Sequence, residues 1–555
     1  MTNRRWVLIE TSGNQRYIFG SSRLRHVVGA SHLVHEIGTV WVPDEAARLG
    51  LEDPVMTASG KALLLVDSSD AGRDLIRAVT GRALRDAPGL RVTGVVGPAF
   101  DPADPHAHEP ARRDTYALHA AARAARPDLL LRDRVFPWHL LCRDSGLPAA
   151  GEEYYGPERR VPAATGVLTR SAATGRGHRR LSERLGTPLD VVVPSHLDEL
   201  VHGGWVAVVH ADGNGVGGLF RDFLRHVWHA ERPGGAAGDT GPVPLQTHAE
   251  YQGAVARELD AATWDAVRDA VAQVAAAHSP AGSAGQAAVP PASVSPGVDR
   301  LAGRLLPVVV GGDDVTVVCD AVLAVPFVRA FAAAFTRHTA AQPTLSAITR
   351  AATGQAGLTA SAGIAIVKLH HPFAVAYDLA EALTAAAKQF SHDGRPLAAF
   401  DLHVVHTSTL RDLTELREYA GAGEGDGAGG ARVARHAGPY LIDDPDDLPD
   451  ALRARNAAQL DKISDWLGPR GWLSATQAHA LREAADRSLT EYLHQLALTL
   501  GRSTAPPEAH DLLAVQDGGD RPPFLRLFDA MQLRGLRLTE PPAAARDNGP
   551  DGDDR

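Results

Sequence analysis

The stretch VVVGGDDVTVVCD, residues 308–320, constrains most strongly what this chain can fold into. Gly311 and Gly312 supply the positive φ angles of a tight hairpin turn. Val308, Val309 and Val310 before the turn, and Val315, Val317 and Val318 after it, predict a central hairpin buried in a sheet. Asp313 and Asp314 at its tip are ordinary turn residues if the tip meets solvent. On a buried hairpin the two carboxylates repel each other unless a cation sits between them.

More oxygen ligands are offered upstream by HADGNGVGGLF, residues 210–220. A strand over 205–210 leads to Asp212, then Gly213, Asn214, Gly215 and Gly217, and then a helix over 218–229. The Asp212 carboxylate is expected at the C-terminal edge of its strand, where α/β sheets hold ligands. The glycines let backbone approach a phosphate at the following helix N-terminus. Alone, Asp212 reads as part of an ordinary glycine-rich turn. With Asp313 and Asp314 it fits a carboxylate clamp on two divalent metals, Mg²⁺ or Mn²⁺, for nucleotidyl transfer.

The same order of elements occurs twice. Strands are expected at 6–12, 61–69 and 90–97, with helices at 22–38 and 70–84. The second half gives the strand at 205–210, the hairpin, a helix at 324–338, a strand at 358–369, a helix at 373–390 and a strand at 397–405. Residues 443–537 read as mostly helical. Pro/Gly/Ala-rich stretches at 231–244, 279–297 and 420–438 read as insertions or linkers, and 540–555 as a disordered tail.

A chain of 555 residues with 44% hydrophobic content has material for several cores. Its net charge of −10 argues against a protein that coats nucleic acid non-specifically. Two cysteines, Cys142 and Cys319, exclude a disulfide framework and a CxxC zinc knuckle, and fit a reducing cytoplasm. No apolar run suits a membrane span or a signal peptide, so a cytoplasmic protein without membrane contact is expected. His106 and His108 in DPHAHEP read as surface decoration rather than metal ligands. The His–Asp pair in EAHDLLAV, 508–515, has no partners for a nuclease site.

Taken as a set, Asp212 with DGNG, the GGDD hairpin, the SAGIAI strand and the lysine of AAAKQF resemble the second palm domain of the large subunit of type III CRISPR effectors. That family is related to GGDEF-type cyclases and makes cyclic oligoadenylates from ATP. IETSGNQRYIF followed by LRHVVGASHLV is similar to the family's first-palm opening. The resemblance covers roughly residues 5–100 and 200–405. It implies an α+β fold: two ferredoxin-like palm (GGDEF/cyclase-like) domains plus a C-terminal helical domain. The implied division is a first palm at 1–135, a connecting segment with a degenerate cysteine module at 136–199, a second palm at 200–415 and a helical domain at 440–538. No HD nuclease domain is expected, because the chain starts almost directly on the first palm's first strand.

The resemblance assigns Mg²⁺ or Mn²⁺ to Asp212, Asp313 and Asp314, with the Gly213 carbonyl. Gly311 and Gly312 would shape the turn against the nucleotide, with Gly213 and Asn214 beside it. Lys388 would meet the triphosphate, or else is a solvated helix end. Ser12, Gly13 and Gln15 would face a second nucleotide. Asn214 stands where the family usually has a second Asp. The first palm's hairpin carries Ser59, Gly60 and Lys61 in place of GGDD, so that half should be non-catalytic. The expected activity is condensation of ATP into cyclic or linear oligoadenylate. Two alternatives are a scaffold subunit that binds guide or target RNA and small helical effector subunits, and a GGDEF-like cyclase using GTP.

Overall fold

The computed structural model describes residues 3–21, 23–125, 135–154, 159–186, 204–232, 240–277, 304–392, 394–406, 413, 433–444, 446, 448–468, 471–502, 505–516 and 523–538. Two antiparallel-dominated sheets organise it. The N-terminal one runs β1 (Arg4–Ser12), α1 (Asn14–Phe19), α2 (Leu24–Glu36), β2 (Met56–Ala58), β3 (Lys61–Val66), α3 (Ser69–Asp86) and β4 (Arg91–Phe100). Its strand order β2-β3-β1-β4 makes the βαββαβ ferredoxin-like arrangement. Period-two alternation decides which side chains go where. Val7, Ile9 and Leu64 join the main core with Leu75 and Val79. Trp6, Leu8, Leu63 and Leu65 form a second cluster on the opposite face with Ala111 of α4 (His108–Ala124).

A small two-stranded unit, β5 (Gly151–Tyr154) with β6 (Arg160–Ala163), leads into α5 (Thr165–Leu185), which lies along α2. The two helices approach closely through glycine. A Cβ on Gly29 would collide with the Arg170 carbonyl, and one on Gly177 would come within 2.8 Å of Val28 Cγ1. Gly29→Ala should therefore destabilise the protein by about 1–3 kcal/mol, because overpacking outweighs the roughly 1 kcal/mol gained in helix propensity. Urea unfolding monitored by circular dichroism checks this. A midpoint that rises would refute the close crossing.

The second sheet is built from β7 (Trp205–Gly213), β8 (Leu305–Gly311), β9 (Asp314–Asp320), β10 (Ala360–Lys368), β11 (Ala399–Val404) and β12 (Tyr440–Leu441), ordered β12-β11-β10-β7-β9-β8. β7 lies at its centre, between β10 and β9. Among its described strands, only β10 and β11 pair in parallel. The helix expected at 218–229 is two helices, α6 (Val216–Arg221) and α7 (Phe223–Glu231), broken at Asp222 with φ −104° and ψ 27°.

Between α7 and β8 stands an element the sequence reading did not anticipate, the 33-residue helix α8 (Leu245–Ala277). Its buried residues Val255, Leu259, Ala262, Ala266, Ala270 and Val274 repeat at helical spacing and pack on α9 (Ala321–Ala341). α10 (Phe373–Ala387) covers β10, β7 and β11.

Two expected linkers are partly built into this core. Within 231–244, Val243 is buried and Gly241 lies against the Trp228 indole, because the chain must close over that ring to reach α8. Within 420–438, Ala437 is fully buried and its backbone N–H donates to a buried carboxylate. The insertion at 279–297 and the tail at 540–555 lie outside the described residues. Helices at Ala457–Trp466, Ala475–Arg487 and Leu489–Arg502, with α11 (Leu527–Leu538), complete the C-terminal part. Among the described residues, no helix is long and apolar enough to cross a membrane.

Candidate functional site

β7 runs three residues further than its sequence pattern suggests, so Asp212 is itself a strand residue. It pairs in register with Asp314 on β9 and with Ser361 on β10. The GGDD turn closes over it, the Gly213 N–H donating to the Asp313 carbonyl at 3.3 Å. Any side chain at Gly213 would meet Asp313 Cβ and Val216 Cγ2, each at 2.9 Å. Gly312 holds a φ of +65°, as the turn demands. A Cβ on Gly311 would lie 2.8 Å from Ser59 Cβ, so the tip of this hairpin abuts the Ser59–Gly60 turn of the N-terminal sheet.

Three carboxylates thus converge at one edge of the sheet. Burial and the neighbouring Asp212 push the Asp313 carboxyl well above the usual carboxylate range. Burial first, then Asp212, pushes Asp314 up to about 7. Asp314 Oδ1 is buried without a hydrogen-bond partner. His210 Nδ1 lies 3.4 Å from it, and burial lowers that imidazole's pKa, which favours a neutral ring unable to offset the charge. Crowded hard-oxygen donors with an orphaned buried acceptor are the donor set of a divalent cation such as Mg²⁺ or Mn²⁺. The residues present fit that group.

Lys388, at the C-terminal end of α10, is in the site rather than a solvated helix end. Its ammonium pairs with Asp212 and donates to the Gly213 carbonyl at 3.0 Å. Asn214 turns away from the carboxylates, its amide donating to Thr359 Oγ1 and to the Leu397 carbonyl, both at 3.0 Å. In that position it braces the turn after β7.

A cavity of about 680 Å³ opens between the two sheets, with Gly311, Gly312 and Asp313 in its wall. Lys61, Arg112, Arg113 and Arg221 line it with Glu10, Lys61 pairing with Glu10 and Arg112 with Glu109. From the SGNQ stretch, Asn14 lines this cavity, whereas Ser12 and Gln15 lie outside the lining. Gln15 instead hydrogen-bonds the Tyr377 hydroxyl, which lies 3.4 Å from His210 Nδ1 and beside Asp314. Arg112, Gln252 and His210 were not found by sequence reasoning. Arg112 and Gln252 sit in amphipathic helices with no local motif, and only packing brings them here.

The other singled-out residues are accounted for elsewhere. His108 is fully buried at the start of α4, contrary to the surface reading of DPHAHEP, because the Trp6 indole donates to its carbonyl at 2.9 Å and draws the helix start inward. His106 is exposed. His510 and Asp511 are exposed. Cys142 is buried with Ala163, Ala164 and Val167. Beside it, His26, Asp144 and Glu153 lie within ligand distance of one another. Arg23 and Arg25 also pair with Glu153, so the cluster already has its counter-charges.

Residues 205–395 match the family model described as Cas10/Cmr2, second palm domain. Among solved structures, Csm1 of T. onnurineus is 13% identical, with 97% of this chain and 69% of that chain covered and a TM-score of 0.48. An apo Csm1–Csm4 cassette is 14% identical, covering 97% and 70%, at a TM-score of 0.45. A Csm1–Csm4 cassette in complex with cA4 is 13% identical, covering 97% and 70%, at 0.44. At these scores the structural likenesses carry no argument of their own. Among curated proteins none matches. The segment that holds Asp212, Asp313, Asp314 and Lys388 is thus similar to the second palm domain of Cas10/Cmr2.

Proposed function

We propose that this chain is a nucleotidyltransferase that joins ATP molecules into linear or cyclic oligoadenylate in CRISPR-type antiviral defence. One observation carries the reading. Asp212, Asp313 and Asp314 converge with Lys388 at a sheet edge, and Asp313 opens into a cavity large enough for a nucleotide. A scaffold gains nothing from opposed, destabilised carboxylates, whereas a polymerising site needs them.

In this reading residues 1–135 form a first palm that contributes no carboxylate at its hairpin, since Ser59, Gly60 and Lys61 occupy it. Residues 136–199 connect it to the catalytic second palm, 200–415, and 440–538 form a helical domain that docks small effector subunits. Asp212, Asp313 and Asp314 would hold Mg²⁺ or Mn²⁺, which when bound supplies Lewis acidity and lowers the pKa of the attacking hydroxyl. The protein's own groups position and neutralise. Lys61, Arg112 and Arg221 draw the triphosphate into the cavity. The ammonium of Lys388 balances charge beside Asp212 as pyrophosphate leaves, and the open, side-chain-free edge at Gly312 lets the α-phosphate approach the backbone. The 3′ hydroxyl of one nucleotide loses its proton as its oxygen bonds to the α-phosphorus of the next, and the bond to pyrophosphate breaks.

The test is direct. Purified protein is incubated with Mg²⁺ or Mn²⁺ and each radiolabelled nucleoside triphosphate, with and without candidate RNA activators. Oligoadenylate is the expected product, and no product from any nucleotide would sink the reading. In the same assay Lys388→Ala should lower kcat/KM by about 10²–10³-fold, the size expected for loss of one preorganised charge. A change below about twofold would return Lys388 to a structural role.

A further inference from the structure

β8 is the outer strand of the second sheet, so the backbone groups on its open side have no neighbouring strand to pair with. Three carbonyls at alternate positions, the period of an extended strand, accept from side chains instead. Ser31 of α2 donates its hydroxyl to the Val308 carbonyl at 2.5 Å. Arg180 of α5 donates from Nη2 to the Val310 carbonyl at 3.2 Å. The Thr263 hydroxyl of α8 lies 2.6 Å from the Gly312 carbonyl and 2.8 Å from the Leu259 carbonyl of its own helix, so it shares its proton between the turn and α8.

Gly312 is held on both sides. Its N–H donates to the carboxylate of Asp260, three residues before Thr263 on the same face of α8. Arg184 of α5 pairs with Asp260 at 3.3 Å. The Arg180 and Arg184 guanidiniums lie over the Trp264 ring, 5.7 and 5.6 Å from its centroid, so α5 and α8 are tied to each other as well as to the turn. Gly312, at a φ of +65°, is the residue directly before Asp313. A glycine left to itself has the widest conformational range of any residue. Bonds to both its amide and its carbonyl remove that range at the position that aims Asp313.

We propose that Thr263, Asp260, Arg180 and Ser31 are positioning residues for Asp313. They fix the GGDD turn from helices outside the sheet, so that its carboxylate is set against Asp212 before a cation arrives. They act through the backbone and not on the reactants, and a turn displaced by about 1 Å would cost on the order of 10²-fold in rate. This inference rests on the reading of the aspartates as a metal site and adds what holds them in place.

Thr263→Val keeps the side chain's shape and removes the donor. Hydrogen exchange of the full, metal-free chain is followed by mass spectrometry. Peptides over 305–320 should exchange about 5- to 10-fold faster than in the native protein, as loss of one hydrogen bond predicts, with β1, β3 and β10 within about twofold. The Kd for Mn²⁺, read by electron paramagnetic resonance, should rise about 5- to 10-fold, and kcat should fall about 10- to 100-fold with KM for ATP within about twofold. Thr263→Ser restores the donor and should return each value to within about threefold of native. Ser31→Ala should give the same pattern, and it decides the matter if Thr263→Val does not fold. Hairpin exchange or Mn²⁺ affinity within about twofold of native, or faster exchange throughout the protein, overturns the inference. If the native protein binds Mn²⁺ and joins no nucleotide, the proposed activity falls while exchange and Mn²⁺ affinity still decide this inference. Absence of Mn²⁺ binding overturns both.

Discussion

Asp313→Ala with Asp314→Ala should remove nucleotidyl transfer, a loss of at least about 10²–10³-fold, while making the metal-free protein more resistant to heat. Both effects have one cause. The two carboxyls and Asp212 are held together in a half-buried corner, and partial desolvation with mutual repulsion raises the Asp313 and Asp314 pKa values. A carboxyl whose folded pKa lies above its unfolded value favours folding while it is protonated. That advantage is present at low pH and is lost as pH rises through about 7 for Asp314. Near neutrality the native site is therefore under strain that a divalent cation relieves. Mn²⁺ should raise the Tm of the native protein more at pH 8 than at pH 6, where protons compete for the same oxygens. Differential scanning fluorimetry of both proteins, with and without Mn²⁺, reads all of this. A double variant that keeps its Mn²⁺ response would place the cation elsewhere, and one that keeps its activity would refute the assignment of the aspartates.

The second large effect lies far from the carboxylates. His436 is sandwiched between Asp401 of β11 and Asp529 of α11, its Nε2 and Nδ1 each 2.8 Å from a carboxylate oxygen. Asp529 also accepts from the Ala437 N–H at 2.9 Å and from the Tyr440 hydroxyl at 2.5 Å. Burial alone would push the imidazole pKa down, but the two aspartates outweigh it and hold it at about 9. This network ties the C-terminal helices to the second sheet. Asp529→Ala leaves a buried imidazolium with one partner and strands Tyr440 and the Ala437 amide, and should cost about 3–5 kcal/mol. The sign of the pH dependence follows from the raised value. The contribution is complete below pH 6.5 and is lost as pH rises through about 9. Urea midpoints of the native protein should fall between pH 7 and pH 9.5, and those of His436→Gln should be nearly flat across that window. A native protein without that fall would mean that His436 is neutral.

Much of this was legible in the sequence. The hairpin at 305–320, the strand at 360–368 and the helix at 373–387 carry apolar patterns whose period admits one element type each. The convergence of Asp212 with Asp314 also followed, once a glycine-rich strand end and a GGDD turn were seen as parts of one sheet. α8 was missed although its apolar residues recur at helical spacing, because no element was assigned to the interval between the Pro/Gly-rich stretches at 231–244 and 279–297.

What the sequence alone determined, then, is local: strand and turn identities, the glycines that the turn geometry needs, and the carboxylates at the hairpin tip. Tertiary structure decided the rest. It turned Asn214 toward Thr359 and away from the carboxylates, brought Lys388 onto Asp212, and drew His436 into a pair of aspartates from β11 and α11. It also brought Thr11, Asn14 and Gln252, from three separate elements, to one cavity. The physical reason is range. Backbone conformation and apolar period are set by neighbours a few residues away. The partner of a charge or a buried oxygen is set by which elements pack together, and no spacing within one segment encodes that.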